Sequence, residues 1–122
     1  LDLVPMTTPF LAACLVGEAA AARELGAAMP ADWQAELPIL SFFHARLHAD
    51  PAALPWLARA IVLREERVAI GHCGFHGPPG MPHLQPYAPG GVELGYTVFP
   101  AFRGRGYATE ACVAALDYAF DA

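Results

Sequence analysis

A chain of 122 residues with seven basic and twelve acidic side chains carries a formal charge of −5, and its length bounds it to one domain or part of one. At 56% hydrophobic and 16% charged residues it is too apolar and too weakly charged to stay disordered, so a packed core is expected. An acidic balance provides no general field for nucleic acid or an anionic membrane, so any anion must be held by a local device.

Leu1 to Pro5 alternates weakly and ends at a proline, which predicts a short edge strand turning at Met6-Thr7. Thr8 then stands ready to cap a helix with Pro9 at its start, and Phe10, Leu11, Leu15 and Val16 recur on one face. Gly17 interrupts that helix. Glu18 to Leu25 continues it as an alanine-rich stretch, Gly26 offers a left-handed cap, and residues 27–35 read as a proline-containing connector around Trp33.

Pro38 opens a further helix whose stripe is Ile39, Leu40, Phe42, Phe43 and Leu47, closing near Asp50-Pro51. From Arg59 the period changes to strand. Ala60 to Arg64, a turn at Glu65-Glu66 and Arg67 to Phe75 predict an antiparallel hairpin, in which Gly71 and Gly74 mark a bulge or close packing. Residues 77–91 hold five prolines and four glycines and read as a long loop. Val92 to Phe99 is the next strand, Pro100 stops it, and Tyr107 to Phe120 reads as helix with Ala111, Ala115, Leu116 and Ala119 along one side.

The order strand, two helices, three antiparallel strands, helix predicts an α+β fold with a mixed sheet. Because the pattern starts inside a strand and stops inside a helix, residues 1–122 are expected to form a single but incomplete domain. The three cysteines, Cys14, Cys73 and Cys112, are odd in number and far apart, which indicates neither a disulfide framework nor a paired-cysteine zinc site and fits a reducing cytoplasm. Every apolar run is shorter than the roughly 18 residues of a membrane span, and no signal-peptide pattern opens the chain.

Arg103-Gly104-Arg105-Gly106-Tyr107-Ala108-Thr109 falls between a strand and a helix, where free backbone N–H groups and the helix dipole favour an anion. Glycines let a phosphate approach the backbone, and two arginines add fork-shaped donors. The segment is not a P-loop, since no Gly-Lys-Ser/Thr follows. Thr109 stands where the dinucleotide fingerprint needs its third glycine.

Together, Val92-Glu93-Leu94-Gly95-Tyr96-Thr97-Val98-Phe99-Pro100 and Arg103 to Ala111 strongly resemble the acetyl-CoA-binding strand, loop and helix of the GNAT superfamily of N-acetyltransferases. The family's Arg-x-x-Gly-x-Ala core falls on Arg103, Gly106 and Ala108, and the upstream element order agrees over essentially the whole chain. Glu93 to Tyr96 and Tyr107 to Ala111 look most like the branch that contains the ribosomal-protein N-terminal acetyltransferases.

The resemblance implies that Gly104 to Thr109 receive the CoA pyrophosphate on main-chain N–H groups, with Arg103 and Arg105 beside it. It also implies that the backbone of Tyr96, Thr97 and Val98 pairs with the pantetheine arm. The acetyl group would pass directly to an amine, on a protein N-terminus or a small molecule, with acetyl-CoA as cosubstrate and no metal. Glu93, the lone carboxylate on that strand, is read as the base, acting through water, or alternatively as an acceptor-binding or loop-capping group. The general acid of such enzymes is usually a tyrosine at a position beyond Ala122. A second class stays open, a non-catalytic CoA-binding or interaction module with the same fold. An incomplete sheet would also leave an edge for self-association; nucleic acid and membrane are not expected partners.

His44 and His48 have zinc-ligand spacing, but Ala45 sits where a zinc protease needs glutamate, so surface or core histidines are favoured. His72 and His76 share a strand face and either approach the acceptor or simply pack at the strand end. For Trp33, Phe42 and Phe43 the choice lies between bordering an acceptor pocket and core packing, with packing preferred for the two phenylalanines.

Overall fold

The computed structural model describes residues 1–75 and 94–121, the last two by backbone alone. The expected loop at 77–91, together with His76, Val92 and Glu93, lies outside the described residues. Strand β1 (Asp2–Pro5) leads to helices α1 (Thr8–Val16) and α2 (Glu18–Leu25). A 3₁₀ segment (Ala31–Glu36) then runs straight into α3 (Leu37–Ala49), and another (Pro51–Trp56) precedes β2 (Ala58–Leu63) and β3 (Val68–Phe75). After β4 (Leu94–Val98), a 3₁₀ turn (Pro100–Phe102) leads to α4 (Tyr107–Asp121).

The strands form one sheet in the order β1-β2-β3-β4, antiparallel at each junction, so the α+β fold is present and β1 is the edge strand its sequence predicts. Parallel pairing, which a mixed sheet requires, occurs among the described residues only as the single bridge between Ala28 and Val68.

Both faces of the sheet are covered. Ala60, Val62, Ala69 and Phe99 pack with Phe10, Leu11, Leu40 and Phe43 of the α1–α3 layer, while Ile61, Leu63, Ile70, Cys73 and Val98 pack with Ala111 and Ala115 of α4. Two covered faces explain why β2 reads as a nearly continuous apolar run rather than an alternating one. Of the stripe expected on α4, Ala111 and Ala115 are buried and Leu116 is half-buried.

Local departures from the sequence reading have physical causes. Thr7, not Thr8, caps α1: its Oγ1 accepts the Phe10 N–H at 3.3 Å and its carbonyl accepts the Leu11 N–H at 2.9 Å. The connector is helical in part because Trp33 pins it. Its ring is 3% exposed, and its Nε1–H donates to the Ala69 carbonyl at 3.0 Å.

The β2–β3 turn covers Arg64 to Arg67, with Arg67 in the left-handed region at φ 52°. That conformation is held by the Arg67 guanidinium, which donates from Nε and Nη2 to the Gly26 carbonyl at 3.1 and 3.0 Å.

Gly71 and Gly74 serve both purposes expected of them. The register slips between Ile61 and Val62, whose partners are Gly71 and Ala69, so Ile70 is the extra residue of a bulge. A β-carbon on Gly71 would run into the Thr97 carbonyl of β4, and one on Gly74 would lie 2.5 Å from Ala58 Cα. Bare backbone at both positions lets β3 sit close to its two neighbours.

Candidate functional site

Pro100 ends β4, and the chain tightens through Phe102 N–H to Phe99 carbonyl at 2.9 Å and Arg103 N–H to Pro100 carbonyl at 3.3 Å. Gly104 and Gly106 follow with φ of 76° and 79°, values that other residues adopt at a cost. Helix α4 closes its first bond from the Glu110 N–H to the Gly106 carbonyl at 3.0 Å. The N–H groups of Tyr107, Ala108 and Thr109 therefore precede any intrahelical acceptor and point off the positive end of the helix. β-carbons on Gly104 or Gly106 would meet no atom within 4 Å, so the space above this turn is open.

That space is a cleft of about 520 Å³. It is lined by Tyr96, Thr97, Val98, Arg103, Gly104, Gly106, Tyr107, Ala108 and Thr109, together with Phe102. These are the residues singled out in sequence apart from Arg105, which is exposed beside the cleft.

The edge of β4 has a defined polarity. The Phe99 N–H donates to the Ile70 carbonyl at 2.9 Å, so by the alternation of an antiparallel ladder Thr97 and Gly95 also turn their polar groups toward β3. Tyr96 and Val98 then direct theirs outward. Consistent with this, the Val98 carbonyl accepts Arg103 Nε–H at 2.7 Å. Of the three residues whose backbone was expected to pair with a pantetheine arm, Tyr96 and Val98 face the cleft edge. Arg103 thus straps the turn to the strand through its Nε.

On the α3 face of the same strand lies a second pocket of about 200 Å³, walled by Ile39, Phe43, Ala58, Gly74 and Phe75 and including His72, Gly95, Tyr96 and Thr97. Tyr96 and Thr97 border both spaces. His72 Nε2 sits 2.7 Å from Glu36 Oε1, at the end of the segment that Trp33 pins, and the Trp33 and His72 rings are 5.8 Å apart.

Sequence reasoning missed Glu36. Nothing local marks it, because its partner is 36 residues away and the pairing depends on the 3₁₀ path of the connector. Phe43 is buried and lines this pocket, whereas Phe42 is 56% exposed.

None of the three cysteines lines the cleft. Glu93 lies outside the described residues. Burial pushes the Cys14 thiol up to about 11 and, with Cys112 beside it, the Cys73 thiol up to about 12, so both stay protonated near neutrality and are poor nucleophiles. Among the described residues no cluster of three or more His, Cys, Asp or Glu side chains could hold a metal, and no helix is long and apolar enough to cross a membrane.

An α+β sheet whose strand β4 feeds α4 through a glycine turn is the arrangement that the resemblance to the GNAT superfamily leads one to expect. The family model described as acetyltransferase (GNAT) domain matches residues 11–122, and the chain belongs to that family. Its members are in general acetyl-CoA-dependent acetyltransferases that act on amine-bearing acceptors. No curated protein and no solved structure gives a significant match to the chain.

Proposed function

We propose that this protein transfers an acetyl group from acetyl-CoA to a primary amine, on a protein N-terminus or a small molecule, by direct attack. The observation that carries the reading is the pair of left-handed glycines at the start of α4, opening onto the outward edge of β4. The residues fit the cosubstrate: the turn offers a pyrophosphate N–H groups that have no acceptor among the described residues, and added β-carbons at Gly104 and Gly106 would occupy open space that such a group can fill.

In this reading Gly104, Gly106, Tyr107, Ala108 and Thr109 donate main-chain N–H groups to the pyrophosphate, and Arg103 and Arg105 supply compensating charge in an acidic protein. Tyr96 and Val98 offer backbone donors and acceptors along the strand, which orient an extended amide-bearing arm as an added strand would. When bound, acetyl-CoA supplies an activated thioester carbonyl. The chain's part is to hold that carbonyl over β4, where Tyr96 and Thr97 also border the second pocket. The stretches Glu93 to Tyr96 and Tyr107 to Ala111 support a place near the ribosomal-protein N-terminal acetyltransferase branch.

Release of free CoA thiol from acetyl-CoA tests the reading. Thiol should appear in proportion to added primary amine and acetylated product, and thiol release that is indifferent to amine would contradict transfer.

A further inference from the structure

His72 is the only buried polar or charged side chain among the described core residues, at 8% exposure. It lies in an apolar pocket with its Nε2 on a carboxylate. Stability gives no reason for the arrangement, because desolvating an imidazole and a carboxylate offsets much of their attraction and apolar side chains would fill the same volume as well. Its chemistry is more specific. A carboxylate at Nε2 favours the tautomer that carries its proton there, which leaves the lone pair on Nδ1 to accept another.

The position adds a second constraint. The pocket holding His72 shares Tyr96 and Thr97 with the cleft at the glycine turn, so a molecule in each would meet over β4. Phe43 and Phe75 make its walls apolar, and its volume of about 200 Å³ suits a compact body. Glu36, the carboxylate paired with His72, supplies the negative charge that draws in a cation.

We infer that this pocket receives the acceptor, a primary amine on a compact apolar body, with His72 as the group that takes the ammonium proton and Glu36 as the residue that positions it. The inference rests on the reading of the larger cleft as the acetyl-CoA site. The ammonium gives one proton to His72, and the freed nitrogen lone pair forms the C–N bond at the thioester carbonyl. The C–S bond breaks, and the departing sulfur takes the second proton from the former ammonium nitrogen. His72 then returns its proton to solvent. An ammonium and a thioester thus become an amide, a thiol and one proton.

The test compares benzylamine, an ammonium ion at neutral pH, with aniline, which is already neutral. Acetyl-CoA affinity is measured separately by calorimetry. Wild-type protein should bind acetyl-CoA and acetylate both amines. His72→Gln should lower kcat for benzylamine by at least about 10²-fold, the lower end of the usual general-base contribution, and that for aniline by under about 10-fold, with acetyl-CoA affinity unchanged.

Glu36→Gln should show the same selectivity to a smaller degree, and it carries the test if His72→Gln does not fold. Equal losses for the two amines would reduce the pair to a structural role and overturn the inference. So would a selective loss in Glu93→Gln with none in His72→Gln, or a wild-type protein that binds acetyl-CoA and acetylates neither amine. Absence of acetyl-CoA binding would instead defeat the reading of the larger cleft, and this inference with it.

Discussion

Gly106→Asp should reduce affinity for CoA by at least about 100-fold in calorimetric titration while leaving the fold intact. Two effects act together. The φ of 79° at this position is costly for a residue with a β-carbon, although aspartate tolerates it better than most. The larger effect is charge: two unit charges about 4 Å apart repel by roughly 4 kcal/mol at an effective dielectric of 20, and each 1.4 kcal/mol is tenfold in affinity. A carboxylate in the turn therefore works directly against a pyrophosphate. The burial that holds α4 to the sheet is centred on Ala111 and Ala115, further along the helix, so folding should survive. Gly106→Ala, which brings the strain without the charge, should lose much less. Equal affinities for the wild type and a folded Gly106→Asp protein would place the anion elsewhere.

Trp33→Ala should destabilise the protein by about 3–5 kcal/mol, the usual range for removing a buried tryptophan. That is a large share of a typical domain stability of about 5–15 kcal/mol. The ring packs edge-on against Phe10 and Phe99, with centroids 6.4 and 5.2 Å away, and its N–H satisfies the Ala69 carbonyl. Its loss opens a cavity between the helical layer and the sheet and leaves a buried carbonyl without its donor. It also frees the segment whose last residue, Glu36, meets His72. Trp33→Phe keeps most of the volume and loses the hydrogen bond, so about 1–2 kcal/mol is expected. Urea denaturation measures both, and a Trp33→Ala midpoint equal to that of the wild type would show that Trp33 does not anchor the connector.

The glycine turn and its strand were legible in sequence because every part is local. Pro100, Gly104, Gly106 and the start of α4 lie within a few residues of one another, and each obeys a backbone rule that needs no partner from elsewhere. The strands were legible for a similar reason, since runs such as Ala60 to Leu63 are apolar enough to demand two covered faces. The pairing of Glu36 with His72 was not, because it joins a connector to a strand through a 3₁₀ path fixed by Trp33, and no periodicity encodes that path. Arg103 shows the same limit on a smaller scale. Its charge and place beside the turn suggest a phosphate ligand, but only the geometry reveals that its Nε is engaged by the Val98 carbonyl. The shift of the α1 cap from Thr8 to Thr7 is a choice between adjacent, chemically identical caps, which composition cannot make.

Backbone amide resonances followed during an acetyl-CoA titration test the site most directly. The N–H signals of Gly104, Gly106, Tyr107, Ala108 and Thr109 should move together and saturate, with those of Tyr96 and Val98 on the strand edge moving alongside them. A saturating response centred on residues away from the β4 edge and the start of α4, or no response while the protein remains folded, would contradict the assignment.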